Sequence, residues 1–223
     1  MAVYDHEEQE QLDALKAWWR DHGNKVINFA LAAALVAAAV SGWKWWQDRQ
    51  AGEAGALYGQ LQAAAEKHDV SAVRDAALAL VDNYAGTVYA GMGALLTAKL
   101  QAEEGDLKNA RAQLAWAAEK SSDESLRDLA RLRLAGLLLD EKAYEEALQQ
   151  LAKEPEAAFA ARYAEVRGDI YAGQGKAEDA RAAYAAALSK LDSKGGSETP
   201  ASQREAMYRE LLQIKLESVG GKA

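Results

Sequence analysis

The chain has 223 residues, half of them apolar, with two Phe, two Pro, no Cys and a formal net charge of −8. An apolar half drawn mostly from Ala and Leu favours helix and excludes a β-sandwich or barrel, which would need β-branched residues and frequent turns. Lack of Cys excludes a disulfide framework, a thiolate metal site and a cysteine nucleophile, and the acidic balance argues against a phosphate-backbone partner, so no nucleic acid is expected.

The first 25 residues carry six Asp/Glu and three Lys/Arg, a net of −3. Such a segment is neither short nor basic and does not fit the n-region of a cleavable signal. From Val26 to Trp43 there is no charge for 18 residues, roughly 27 Å of helix against a hydrocarbon core of about 30 Å. Five of the six tryptophans, Trp18, Trp19, Trp43, Trp45 and Trp46, flank this stretch together with Lys25 and Lys44. Indole rings at headgroup level and snorkelling lysines cover the small deficit in length, so residues 26–46 are expected to form a transmembrane helix in contact with the bilayer through 26–43. A buried Ala-rich helix of a soluble core is the competing reading, but it gives no reason for the tryptophans to cluster. Lys16, Arg20 and Lys25 precede the span and only Lys44 and Arg49 follow it closely. That bias places the N-terminus inside.

Residues 47–90 read as connecting helices (Ala54 to Lys67, Ser71 to Tyr84) with a degenerate repeat, Ala76 standing in its alanine slot. Three later segments, beginning at Gly105, Glu141 and Gly175, align on Ala110, Ala147 and Ala180 at intervals of 37 and 33 residues. Leu114, Leu151 and Tyr184 follow four positions on, and Ala117, Glu154 and Ala187 seven positions on. Each segment is preceded by a helix, over Gly91 to Glu103, Asp123 to Asp140 and Ala161 to Ala172. A period near 34 with two helices per unit predicts three tetratricopeptide-like repeats over 91–191. Residues 192–203 read as a flexible loop, and Gln203 to Glu217 as a helix capping the array within 192–223. The fold class expected is therefore all-α, a single N-terminal transmembrane helix followed by a tetratricopeptide-like solenoid.

No catalytic constellation emerges. His6, His22 and His68 are isolated, and neighbouring acidic pairs such as Glu103–Glu104 and Glu145–Glu146 project from a helix in different directions. The chain is read as non-enzymatic, with no cofactor and no metal.

Three stretches carry a more specific signal: Tyr4 to Trp19 (YDHEEQEQLDALKAWW), GWKWWQDRQ at Gly42 to Gln50, and AEVRGDIYAGQGKAEDARAAYAAAL at Ala164 to Leu188. An acidic N-terminal tail, a span closed by tryptophans and degenerate repeats in this order resemble the ancillary SecYEG translocon subunit family. The resemblance implies a single-pass protein of a bacterial inner membrane, its acidic tail (1–25) cytoplasmic and its repeat domain periplasmic. It further implies association with Sec translocon subunits, with a membrane-anchored periplasmic chaperone of the peptidyl-prolyl isomerase type, and with unfolded secreted proteins. A structural or assembly factor of another envelope complex is the alternative. Tetratricopeptide repeats bind through the first helix of each pair, which assigns a candidate groove to Met92, Leu95 and Lys99, then Leu129, Leu132 and Leu139, then Arg162, Glu165 and Asp169. The same leucines would equally serve as inter-repeat core.

Overall fold

The computed structural model describes the backbone of residues 4–192 and 200–220, with side chains for 10–191 and 203–220. Among the described residues all regular structure is helical: α1 (Tyr4–Glu66), α2 (Val70–Tyr84), α3 (Val88–Glu103), α4 (Leu107–Lys120), α5 (Glu124–Asp140), α6 (Tyr144–Gln150), α7 (Ala160–Gly173), α8 (Ala177–Asp192) and α9 (Pro200–Val219). The all-α expectation holds. Residues 1–50 form one unit and 51–223 a second.

In the first unit α1 carries one stretch long and apolar enough to cross a membrane, and none of it is buried. Phe29, Leu35 and Val36 are 77%, 72% and 64% exposed. Among the described residues this unit has no buried apolar side chain to pack them against.

The second unit is built from antiparallel helix pairs joined by one recurring turn. A residue in the left-handed region ends the first helix of each pair: His68, Gly105, Lys142 and Gly175, at intervals of 37, 37 and 33 residues. Glycine adopts this conformation without a steric cost, and two of the four turns use it. The next helix then starts in the same way each time, with Val73, Ala110, Ala147 and Ala180 donating their N–H to the carbonyls of Asp69, Asp106, Ala143 and Lys176. Asp69 and Asp106 also accept from Ala72 N and Asn109 N, as helix N-caps do. Counted from the turn, Val73 and not Ala76 occupies the alanine slot of the first pair, which is completed by the end of α1. Both residues are buried.

Small residues let the helices approach. Ala54, Leu61, Ala76, Ala77, Leu80 and Ala90 close the first pair against α3. Ala98, Leu114, Ala117, Leu134, Leu138, Ala147 and Leu151 belong to the middle core, and Ala164, Ala180, Tyr184, Ala187 and Leu212 to the last.

Two sequence expectations are corrected. The helix aligned from Glu141 through Glu154 ends at Gln150 with Leu151 as its cap. Pro155 cannot continue a helix and disfavours helical backbone at Glu154. The released chain is taken by tertiary bonds instead: Arg167 donates to the Leu151 carbonyl, and the Glu156 N–H to Asp128 at 2.8 Å. The loop expected over 192–203 is shorter, since Asp192 ends α8 and α9 starts at Pro200; residues 193–199 lie outside the described residues.

Candidate functional site

Two surfaces are candidates for function, the apolar stretch of α1 and the repeat face. On α1, Trp18, Trp19, Trp43, Trp45 and Trp46 are 48–64% exposed, and Lys25 and Lys44 are exposed as well. Trp18 stacks on His22 at 5.3 Å, and Trp43 lies 5.2 Å from Trp46 between ring centroids. At 1.5 Å per residue, Trp19 and Trp43 stand about 36 Å apart along the helix. That distance exceeds the hydrocarbon thickness and falls short of the full bilayer, so both rings fit the headgroup level.

On the repeat domain the nine groove candidates separate into four environments. Leu95 is 5% exposed and belongs to the middle core, so it offers no open surface. Met92 is half-buried, and Leu129, Leu132 and Leu139 are half-buried against the same core. Lys99 is exposed and pairs with Glu103 at 3.7 Å.

In the third set Glu165 and Asp169 are engaged by α9, while Arg162 lies over Tyr208 with its side chain 52% exposed. Glu165 is only 4% exposed. It accepts hydrogen bonds from Tyr208 Oη at 2.7 Å and Lys215 Nζ at 2.8 Å, and it pairs with Arg162 at 2.9 Å. Lys215 also reaches Asp169 at 2.8 Å, Tyr184 donates to Asp169 at 2.8 Å, and the Arg162 guanidinium lies 3.9 Å over the Tyr208 ring. Burial raises the Glu165 carboxyl, but the bonds from Lys215 and Tyr208 outweigh it and hold the group below the usual carboxylate range. Lys215 is raised: Asp169 and Glu165 more than offset its own desolvation. Burial and the hydrogen bond to Glu165 push the Tyr208 hydroxyl well above its usual value, so it stays a donor. These groups dock a helix.

Sequence reasoning missed Tyr208 and Lys215 because their partners lie 43 and 50 residues away. It also missed Asp128, 1% exposed on α5, which accepts from the Glu156 N–H, from Arg131 at 2.9 Å and from the Tyr163 hydroxyl at 3.3 Å. A charged residue inside an apolar helical stripe was the available signal. An open notch of about 540 Å³ lies between α3 and α5 above α4, and Lys99 is on its rim. Among the described residues no group of His, Cys, Asp or Glu is placed to hold a metal ion.

Comparison with known proteins supplies the family. Residues 16–221 match the tetratricopeptide repeat-like domain family. A protein of Neisseria gonorrhoeae named ancillary SecYEG translocon subunit is 30% identical over 217 residues, 96% of this chain and 97% of its own length. The chain belongs to the ancillary SecYEG translocon subunit family. Proteins of the same name from Haemophilus influenzae (31% identical, 78% of this chain and 84% of that one) and Escherichia coli (26%, 84% and 90%) are similar over most of their length. Family membership and the repeat architecture point to a non-catalytic scaffold, and α1 supplies this member with one candidate transmembrane helix.

Proposed function

We propose that this protein is a non-enzymatic ancillary subunit of the Sec translocon. Residues 26–46 anchor it in the bacterial inner membrane as a single pass, with residues 1–25 as a cytoplasmic tail. Its repeat domain, three tetratricopeptide-like units over 91–191 preceded by 47–90 and closed by 192–223, stands in the periplasm. There it presents binding surface to a membrane-anchored chaperone of the peptidyl-prolyl isomerase type and to unfolded secreted proteins. The observation that carries this reading is the likeness to a relative named ancillary SecYEG translocon subunit over 96% of the chain, span and repeats together. Orientation draws support from Lys16, Arg20 and Lys25 before the span.

Purification of the tagged full-length protein in mild detergent tests the assignment. Translocon subunits and the chaperone are expected to come with it. Their absence under conditions that keep the translocon intact, with subunits of another envelope complex in their place, would favour an assembly factor. Protease added to spheroplasts should degrade the repeat domain, and a protected domain would reverse the topology.

A further inference from the structure

Gly93, Thr97 and Gln101 follow one another at one-turn intervals on α3 and so share one face of that helix. A Cβ on Gly93 would lie 2.7 Å from Leu80 and 3.6 Å from Leu61. That face is therefore turned to α2 and the end of α1, away from the exposed groove candidate Lys99. Towards the C-terminal end of α3 the apolar contact gives way to a cavity of about 50 Å³, closed by the turns before α2 and before α4. Val73, Thr97, Leu100 and Gln101 form its buried and half-buried wall, and His68, Arg74, Glu104 and Asp106 stand at its rim.

Two buried polar atoms of this wall have no hydrogen-bond partner among the described residues: the hydroxyl of Thr97, a residue 1% exposed, and Oε1 of Gln101. Buried polar groups are costly to leave unpaired, and two opening onto one void point to a molecule that completes them. Oε1 only accepts, and the hydroxyl has two lone pairs, so that molecule must bring donors. The rim adds a sign. Asp106 is already engaged: bonds from Asn109 first, and then the nearby charge of Arg74, hold its carboxyl below the usual carboxylate range. Glu104 makes no ion pair among the described residues, which leaves one negative charge uncompensated.

We propose that this cavity binds a primary ammonium group carried on an alkyl stem. Such a group has three donors, no acceptor and one positive charge, which matches two unpaired acceptors and a spare carboxylate. A water takes roughly 30 Å³, so the cavity admits the ammonium head and the first methylene, and the stem leaves past Val73 and Leu100. The head donates to Thr97 Oγ1 and Gln101 Oε1, with Glu104 as counter-charge. An anion would meet Gln101 Oε1 and Glu104 with the wrong sign. A metal cation would want ligands that are missing, since no group of three His, Cys, Asp or Glu is placed for one among the described residues. A free small amine and a lysyl side chain share this chemistry, and the experiment separates them. The site is independent of the translocon assignment.

The test follows the methyl resonances of Val73, which is 6% exposed in the cavity wall, in full-length protein in detergent. The ligands are propylammonium and Nα-acetyl-lysine methylamide, with propanol and propionate as controls. Ordinary values of about 6.5 for imidazole and 10.4 for an alkylammonium make pH 8 suitable, since the amine is then charged and His68 is not. Saturable shifts are expected with propylammonium and none with the controls at equal concentration. Saturation by the lysine derivative as well assigns the cavity to a lysyl side chain, and its inertness beside a binding propylammonium assigns it to a free amine. Thr97→Val and Gln101→Met should each weaken binding about fivefold, and Glu104→Gln about twofold with a shallower salt dependence. Thr97→Val removes an unpaired buried hydroxyl at nearly constant shape, so its melting temperature should be equal or higher and its loss of binding is not unfolding. No saturable shift with either amine, an equal response to propanol, or affinity indifferent to both wall substitutions overturns the site and leaves it to water. Copurification with the translocon is measured separately, so failure here is distinct from failure of the broader assignment.

Discussion

Asp128 is a buried carboxylate that ties the turn after α6 to α5. It replaces backbone partners that the shortened α6 cannot supply, holding the Glu156 N–H at 2.8 Å and the Tyr163 hydroxyl at 3.3 Å, with Arg131 at 2.9 Å as counter-charge. Burial first, and then the nearby Asp128 carboxylate, raise the Tyr163 hydroxyl well above its ordinary range, so it remains a donor. Asp128→Ala takes the acceptor from the Glu156 N–H and one carboxylate from Arg131, which keeps Glu124 and the Ala118 carbonyl, and should cost about 1.5–3 kcal/mol in urea unfolding. Tyr163→Phe removes one neutral donor and should cost about 0.5–1.5 kcal/mol. Equal effects, or the reverse order, would show that the carboxylate does not organise the loop. At this scale the sequence disclosed the small residues and concealed the polar ones. Ala180 and Tyr184 were readable as repeat positions, and the contact they make explains a glycine on α7: a Cβ on Gly168 would lie 2.5 Å from the Tyr184 ring. Asp128 and Tyr163 were not readable, because their bond links residues 35 apart with no local periodicity to announce it.

Among the elements, α9 is held differently from the others. Leu212 is its fully buried apolar anchor, Tyr208, Leu216 and Val219 pack half-buried beside it, and Glu165, Asp169 and Lys215 add a layer of charge. Glu165 has a lowered folded value, so its contribution is present above the unfolded carboxyl value of about 4.3 and disappears as pH falls through the folded one. Lys215 has a raised folded value, so its contribution is present below about 10.4 and disappears as pH rises through the folded one. Thermal melting should therefore show a plateau between these limits and a fall on each side. Lys215→Met should lower the plateau, speed hydrogen exchange in α9 at neutral pH, and reduce the alkaline fall. An unchanged exchange rate in α9 would mean that its apolar contacts through Leu212, Tyr208, Leu216 and Val219 hold the helix without the charges. Helix positions were legible from periodicity, turn glycines and Asp caps, and most ends agree within three residues. The docking of α9 was not, since charges that look solvated along one helix acquire their partner only in three dimensions.

For the whole molecule, the deciding contrast is between a repeat domain that buries its apolar residues and an N-terminal unit that exposes them. The span was legible in sequence because it rests on a local property, an uncharged run of membrane length bracketed by indoles. Its energetics are modest. Seven strongly apolar residues between Val26 and Val40 contribute about −0.3 to −0.6 kcal/mol each, or roughly −2 to −4 kcal/mol in all, with Ala nearly neutral. One charge at the centre of the span costs about 2.5–3.5 kcal/mol. Leu35 lies close to that centre and is 72% exposed, so no protein contact would confound its replacement. Leu35→Arg should therefore bring insertion near balance and move a large share of the protein from the carbonate-resistant membrane pellet to the supernatant. Leu35→Ala removes only a few tenths of a kcal/mol and should leave the protein in the pellet. The repeat domain should keep its melting temperature in both variants. If Leu35→Arg remains fully carbonate-resistant, the Trp-bracketed segment is not what holds this chain in the membrane.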